Sequence, residues 1–334
     1  MKTRSLLLLA IFIAWSGDSS SIFAQHDNRR TRSKNSELSD NHKSSKTVSE
    51  FLRVTRDQQG NPKSLETCIT RYRSRDRKLL VDLIGVVHVG ESGYYRKLNH
   101  QFKQYDSLLY ELVAPKGSEV PQPESQNRSS SPIHWLQGSM QRMLGLQSQL
   151  KHIDYRASNF VHADLSPKAM QKKMAERGDT AWSLGLRAFG EMMDQSNNAS
   201  MKQTLGNDIQ SFEDLFGLMS DPVRLKVMMA NQFTTAEGLD AGLGKSLNQL
   251  LIKDRNEAAM KVLHSEINRG QKTLALFYGA AHMPDFEQRL ITELDLEKTN
   301  QAWVEAWDLQ SAPQTSQRGN GLGEMLFELM DSLD

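Results

Sequence analysis

The chain has 334 residues and a nearly balanced charge, with 41 Lys and Arg against 40 Asp and Glu and a formal net charge of +1. This balance argues against a nucleic-acid partner, because proteins that bind nucleic acids usually carry a basic excess. The single cysteine, Cys68, excludes a disulfide framework within the chain.

The first 24 residues have the composition of an export signal. Lys2 and Arg4 precede an apolar run from Leu6 to Trp15, and a small-residue region follows as far as Ala24. We expect a signal peptide over 1–24 and an exported protein in a periplasmic or extracellular space. The run is shorter than the roughly 20 apolar residues that span a bilayer. Membrane attachment is therefore expected only if the signal stays uncleaved.

Residues 25–47 are polar and charged, without apolar periodicity, and predict a disordered linker. A strand-rich body begins at about residue 48. Glu50 to Arg75 alternates between apolar and polar positions around a turn-forming stretch, which predicts a β-hairpin. We expect one catalytic domain over 48–310 and a C-terminal tail over 311–334.

The segment Leu79 to Val113 predicts a strand, a helix and a second strand. His88 closes the first apolar run, and the last run, Leu108 to Val113, is apolar except for Glu111. A β-α-β unit of this kind is normally parallel and buried. Because functional residues collect at the carboxyl ends of such strands, His88 and Glu111 share one edge if the strands are neighbours.

The middle of the chain, after a loop rich in Pro and Ser, predicts a helical insertion over about 133–245 that covers the strand ends. Two of its helices are expected to begin at Pro167 and Pro222. Ser166 and Asp221 precede these prolines and are typical N-cap residues. We expect this middle part to be wholly helical.

The last part of the domain returns to a mixture of helices and strands. A long helix is predicted from Leu247 to Ile267, followed by a strand over Thr273 to Met283. A final strand is predicted over Ala302 to Leu309. We therefore predict an α/β (α+β) fold, with a mixed, largely parallel central sheet built from both ends of the chain.

Two copies of a Gly-x-x-His motif end predicted strands. GVVH contains Gly85 and His88, and GAAH contains Gly279 and His282. A residue without a side chain three positions before the histidine suits a close backbone approach or a bulge that re-aims the imidazole. One such motif has little specificity, but two copies with Glu111 at the end of a third strand predict a common site.

His88, Glu111 and His282 are the residue types that a catalytic divalent metal requires. Two neutral imidazoles and one carboxylate leave an open position for water. Zinc, manganese, iron and cobalt all accept these ligands. The alternative is that each side chain is a polar group at a strand end whose hydrogen bonds are satisfied locally.

Three further residues are candidates for the same site. Arg255, in the polar part of the predicted long helix, is expected to bind an oxyanion or to orient Glu111 through a bidentate contact. Its alternative is an exposed helix charge. His162 and Asp164 point to the same side of an extended segment and are candidates for a further ligand or a general base. Their alternative is a role in capping and closing the loop before the next helix.

These residues resemble the TraB/PrgY/GumN and Tiki family, within a wider group that includes erythromycin-esterase-like and ChaN-like proteins. The resemblance rests on GVVH at 85–88, Glu111, the DRN segment at 254–256, and GAAH at 279–282, and it covers roughly Leu79 to Leu309. GVVH stands where the family more often has Gly-Thr-x-His.

The resemblance implies a metal-dependent protease. It assigns His88, Glu111 and His282 to the metal and catalytic set, with Arg255 as a supporting cation. It also implies manganese or cobalt as the metal.

The resulting hypothesis is a secreted metal-dependent hydrolase, acting as a peptidase with a peptide or small-molecule substrate. A metal ion, which we expect to be manganese, cobalt or zinc, would activate water beside Glu111. One alternative is a binding protein of the same fold that holds haem, a metal or a peptide without turnover. The other is a metal-independent esterase in which a histidine acts as general base and Glu111 orients it.

Overall fold

The structure is a computed structural model, and it describes residues 50–113, 144–179, 221–234 and 248–312. The predicted signal peptide, the linker and the tail beyond residue 312 lie outside these residues, as does much of the predicted insertion. Within the described ranges, no helix is both long enough and apolar enough to cross a membrane.

Strands from both ends of the chain form a seven-stranded central sheet. The central sheet contains β1 (Leu52–Arg56), β2 (Pro62–Arg73), β3 (Leu80–Val86), β5 (Ser107–Tyr110), β7 (Phe160–His162), β8 (Thr273–Gly279) and β9 (Glu297–Asp308). The two short strands β4 (Val89–Gly90) and β6 (Gln147–Ser148) pair with each other in a separate sheet. The α-helices are α1 (Ser92–Phe102), α2 (Gln149–His152), α3 (Pro167–Glu176), α4 (Pro222–Phe233), α5 (Asp254–Asn268) and α6 (Met283–Leu294).

The strand order is β1-β2-β3-β8-β5-β7, and β9 also pairs with β2. The pairs formed among β3, β8, β5 and β7 are parallel, whereas β1, β3 and β9 all pair with β2 antiparallel. The predicted α/β fold with a mixed, largely parallel sheet is therefore confirmed.

The strands of the predicted β-α-β unit are parallel but are not neighbours, because β8 lies between β3 and β5. Leu274, Ala275, Leu276 and Phe277 of β8 are all essentially inaccessible to solvent. Such a continuous apolar run is typical of a central parallel strand, which is buried on both faces. The local unit thus receives its central strand from a segment more than 150 residues later in the chain.

Alternating residues of the parallel strands pack on two faces. Ala275 and Phe277 of β8 join a core cluster with the buried residues of α1. Leu274 and Leu276 point into a second cluster that includes α5 and α6. Helices on both faces leave the carboxyl ends of β3, β8 and β5 as the edge at which polar side chains can gather.

Several predicted boundaries change. The middle of the chain is not wholly helical, because β7 pairs in parallel with β5 and extends the central sheet. A strand of three residues is too short for its apolar period to be recognised. The predicted long helix begins as a π-helical turn, Gln249–Lys253, and continues as α5. The predicted caps are confirmed: Ser166 accepts from the backbone of α3 and Asp221 from that of α4.

Candidate functional site

The ends of three adjacent strands bring His88, Glu111 and His282 together. Glu111 follows β5, His88 lies two residues beyond β3, and His282 ends a 3-10 turn that follows β8. Nε2 of His282 lies 3.6 Å from Oε1 of Glu111. Residues that are far apart in sequence therefore share one edge of the sheet, because β8 joins the other two strands in register.

The glycine of each motif makes room for the other motif. A Cβ added to Gly279 would lie 3.1 Å from Nε2 of His88 and 3.5 Å from Oε2 of Glu111. A Cβ added to Gly85 would lie 3.0 Å from Cγ of Met283, just after the second motif. The expected close approach is thus confirmed in both copies, and at Gly279 the missing side chain leaves a small space between an imidazole and a carboxylate.

Arg255 holds two carboxylates at the centre of the site. Its Nη2 donates to Oε1 of Glu111 over 2.7 Å. Its Nε and Nη2 also donate to the two oxygens of Asp164, over 2.9 and 2.6 Å. Arg255 is 2% exposed, so the alternative of an exposed helix charge is wrong. The expected bidentate contact exists, but its carboxylate is Asp164.

The charges in this cluster stabilise one another. Burial by itself raises the pKa of Glu111, but the positive charge of Arg255, followed by the imidazole of His282, brings that pKa well below its usual range. Burial likewise lowers the pKa of Arg255, and the charges of Asp164 and Glu111 more than compensate, so its pKa is raised. Glu111 is therefore an ionised carboxylate at neutral pH.

Two amide side chains hold the imidazoles, and the sequence predicted neither. Asn256 Oδ1 lies 2.6 Å from Nδ1 of His282. Gln149 Oε1 lies 3.1 Å from Nδ1 of His88. Asn256 is adjacent to Arg255 and belongs to the DRN segment, so its position was a usable signal. Gln149 comes from α2 of the insertion, and no local pattern identifies it.

The candidates Asp164 and His162 lie around this centre, and Tyr278 is a further neighbour of it. Asp164 reaches the cluster only through Arg255, and its Oδ1 also accepts from the backbone of Leu165 over 2.7 Å. Nε2 of His162 is instead 2.6 Å from the carbonyl oxygen of Leu112. Tyr278 packs its ring 5.3 Å from that of His282 and donates a hydrogen bond from its hydroxyl to the carbonyl of Ala163.

The carboxylate of Glu111 is already engaged on both oxygens. Oε1 accepts from Arg255, and Oε2 accepts from the backbone N–H of Gly279 over 2.8 Å. In the described part of the chain, no group of three or more His, Cys, Asp or Glu side chains is arranged to hold a metal ion as it stands. Because a carboxylate has about four lone-pair sites, Glu111 retains acceptor capacity, and the metal site stays a prediction.

No protein-family model, curated protein or solved structure matches this chain.

Proposed function

We propose that this protein is a metal-dependent hydrolase that cleaves peptides, with its reaction at the edge shared by β3, β8 and β5. One observation carries the proposal: His88, Glu111 and Gly279 enclose a space that a single Cβ would fill, and His282 faces the same carboxylate. This is the set that the resemblance to the TraB/PrgY/GumN and Tiki family identifies as the metal site, and membership of that family is part of the proposal.

The residues present suit a divalent cation. Two imidazole nitrogens and an ionised carboxylate are ligand types that manganese, cobalt and zinc accept. The cluster formed by Glu111, Asp164 and Arg255 carries a formal net charge of −1 and attracts a cation. A divalent metal bound beside His88, Glu111 and His282 would act as a Lewis acid and lower the pKa of water.

The protein side chains have separate tasks in this proposal. Glu111, ionised at neutral pH, would hold the metal or orient the attacking water by accepting a hydrogen bond from it. Arg255 provides a fixed positive charge that stabilises the negative charge developing on the substrate carbonyl oxygen. Asp164 holds the guanidinium in place through a bidentate contact, so it is a positioning residue rather than a base.

The proposal includes an exported location, because residues 1–24 have the pattern of a signal peptide. The proposed substrate, a peptide or a small molecule, would then be encountered outside the cytoplasm. No nucleic-acid partner is proposed, since the chain carries only +1 formal net charge.

The test combines metal content with cleavage. The purified full chain is freed of metal and then supplied with manganese, cobalt or zinc, and hydrolysis of a fluorogenic peptide library is followed with and without a chelator. We expect His88→Gln and His282→Gln each to lose bound metal and at least about 100-fold in cleavage rate. His264→Gln is the matched control, because His264 is 44% exposed and pairs with Glu293 away from the site. Unchanged metal content and cleavage in both site variants would refute the proposal.

A metal-independent esterase is the second candidate, and the hydrogen bonds of Glu111 favour it. With Oε1 held by Arg255 and Oε2 by Gly279, this carboxylate is oriented towards His282 without any metal. In that case His282 takes the proton from water and Glu111 stabilises the resulting imidazolium. Hydrolysis of aryl esters that persists after complete metal removal, and that His282→Gln abolishes, would select this candidate. Metal binding without any hydrolysis would instead indicate a binding protein.

A further inference from the structure

We propose that Asn256 and Gln149 are positioning residues that keep His282 and His88 in the tautomer with the proton on Nδ1. The bare Nε2 of His282 then faces Oε1 of Glu111, and the bare Nε2 of His88 lies beside Gly279. The ligand that the lone pairs of these two nitrogens bind rests on the proposed function. The tautomers themselves are independent of it. Neither amide belongs to the residue set that the sequence predicted.

The hydrogen bonds of Asn256 fix the direction of its amide. Its Nδ2 donates to the carbonyl oxygen of His282 over 3.0 Å and to Oδ2 of Asp285 over 2.9 Å. Both partners are acceptors, and Asp285 is further held by Arg289 over 2.7 Å. The NH₂ group must therefore point to them, which leaves Oδ1 against Nδ1 of His282. An amide oxygen only accepts, so Nδ1 of His282 carries the proton.

Gln149 contacts His88 from a different part of the chain. Its backbone N–H donates to the carbonyl oxygen of His88 over 2.9 Å. Its side-chain Nε2 lies 2.8 Å from the hydroxyl of Tyr155, and its Oε1 faces Nδ1 of His88. A hydroxyl can donate as well as accept, so Tyr155 does not by itself set the direction of this amide, and the tautomer of His88 is tested separately from that of His282.

The consequence is a pair of acceptors that face each other without a proton between them. With Nδ1 protonated, Nε2 of His282 presents a lone pair to Oε1 of Glu111 at 3.6 Å. This distance is too long for a direct hydrogen bond. Two acceptors this close repel each other, and a cation near both relieves that repulsion. Arg255 supplies part of that charge, and a divalent metal would supply the rest. Ligating histidines normally donate the other ring N–H to a fixed acceptor, which is the arrangement seen here twice.

The test observes the tautomers in the full chain without metal. Ring ¹⁵N-labelled histidine and long-range proton–nitrogen correlation distinguish a protonated ring nitrogen from a bare one, and His88→Gln and His282→Gln assign two of the nine histidines. At about pH 8.5, well above the usual histidine pKa of about 6.5, we expect Nδ1 protonated and Nε2 bare in both residues. A proton on Nε2 of either residue in the parent protein would overturn the proposal for that residue.

Two variants and one control distinguish the loss of a positioning residue from a general loss of structure. Asn256→Leu should move His282, and Gln149→Leu should move His88, towards the Nε2-protonated form. Each should also weaken manganese or zinc binding by about 10–100-fold. Asn159→Leu is the control, because Asn159 also donates to backbone carbonyls, those of Phe102 and Tyr105, but touches neither imidazole. Tautomers that do not change in the two variants would overturn the proposal. If Asn256→Leu fails to fold, the tautomers observed in the parent protein still test the proposal. Correct tautomers without metal binding would instead count against the proposed function.

Discussion

His282 and His88 lie beside the same carboxylate, that of Glu111, but are held by different parts of the molecule. His282 is 3% exposed and is surrounded by core elements: its partner Asn256 lies in the first turn of α5, and α6 follows His282 directly. His88 is held by the segment 144–155, through Gln149 and through the two-residue pairing of β4 with β6. One half of the site is therefore built into the domain core, and the other half depends on a segment of the predicted insertion.

This difference predicts how the two halves respond to mutation. Changes on the His282 side remove buried contacts between helices and the central sheet, so they should lower global stability together with function. Changes to the polar contacts on the His88 side, such as Gln149 and the two-residue ladder of β4 with β6, leave the buried side chains of the segment in place, so they should alter the site with a smaller effect on stability. Arg255 is common to both halves, because it holds the carboxylate that lies between the two imidazoles.

The largest effect is expected for Arg255→Met. The substitution leaves the carboxylates of Glu111 and Asp164 buried without their cation, and breaking a buried ion pair from one side typically costs about 3–5 kcal/mol. Urea denaturation would measure this loss. Lys261→Met is the control on the same helix, because Lys261 is 71% exposed and its pair with Glu257 should contribute less than about 0.5 kcal/mol. A loss as small as that of the control would show that Arg255 does not hold the two halves together.

Glu111→Gln is expected to have the next largest effect, and one that depends on pH. The depressed pKa of Glu111 means that its stabilising contribution is complete above the usual carboxyl pKa of about 4.3 and is lost as the pH falls through the lower folded value. At neutral pH we expect the variant to be about 1.5–3 kcal/mol less stable. The difference from the parent should shrink as the pH is lowered from about 7 to about 3.

Denaturation curves at the two pH values test the expected change. Glu176→Gln, at an exposed pair with Lys172, serves as the control and should show almost no difference at either pH. A Glu111→Gln difference that does not change with pH would contradict the assigned ionisation.

Gly85→Ala and Gly279→Ala apply one substitution to equivalent positions of the two motifs. In Gly85→Ala the new methyl group presses on Met283 in the core, and overpacking of this kind costs about 1–3 kcal/mol. In Gly279→Ala it enters the space beside His88 and Glu111. We expect a smaller stability loss there, with metal affinity or hydrolysis reduced by about 10–100-fold.

Thermal unfolding and metal titration of both variants sharpen the comparison. The expected pattern is a stability defect for Gly85→Ala and a site defect for Gly279→Ala. The reverse pattern would show that the space beside Gly279 is a packing feature and not a binding site.

The smallest effect is expected for Asn99→Ala, which acts on the His88 half. Asn99 ties the segment to α1, because its Nδ2 donates to the carbonyl of His152 and its Oδ1 accepts from Asp154. We expect a loss of about 0.5–1.5 kcal/mol, faster amide exchange in 144–155, and a change in the resonances of His88 but not of His282. Gln101→Ala, on the same helix, is the control. Equal changes at both histidines would contradict the proposed division of the site.

Local sequence patterns were sufficient to predict much of the fold. The hairpin before β3, the apolar runs that became β3, β5 and β8, and the caps at Ser166 and Asp221 all have periodicity or cap chemistry within a few residues. The strand β7 and the pairing of β4 with β6 were missed, because segments of two or three residues carry no recognisable period. They form only when the longer strands supply an edge to pair with.

The sequence by itself determined which residue types stand at the strand ends, namely the two Gly-x-x-His motifs and Glu111, and it placed Arg255 in the helix before β8. Only the tertiary structure decided what each of them contacts. It placed β8 between β3 and β5, paired Arg255 with Asp164 as well as with Glu111, and assigned an amide to each imidazole. The physical reason is the distance along the chain over which each interaction acts. Strand propensity and helix caps depend on neighbours in the sequence, whereas charge pairing and hydrogen bonding in a buried site depend on which elements pack together.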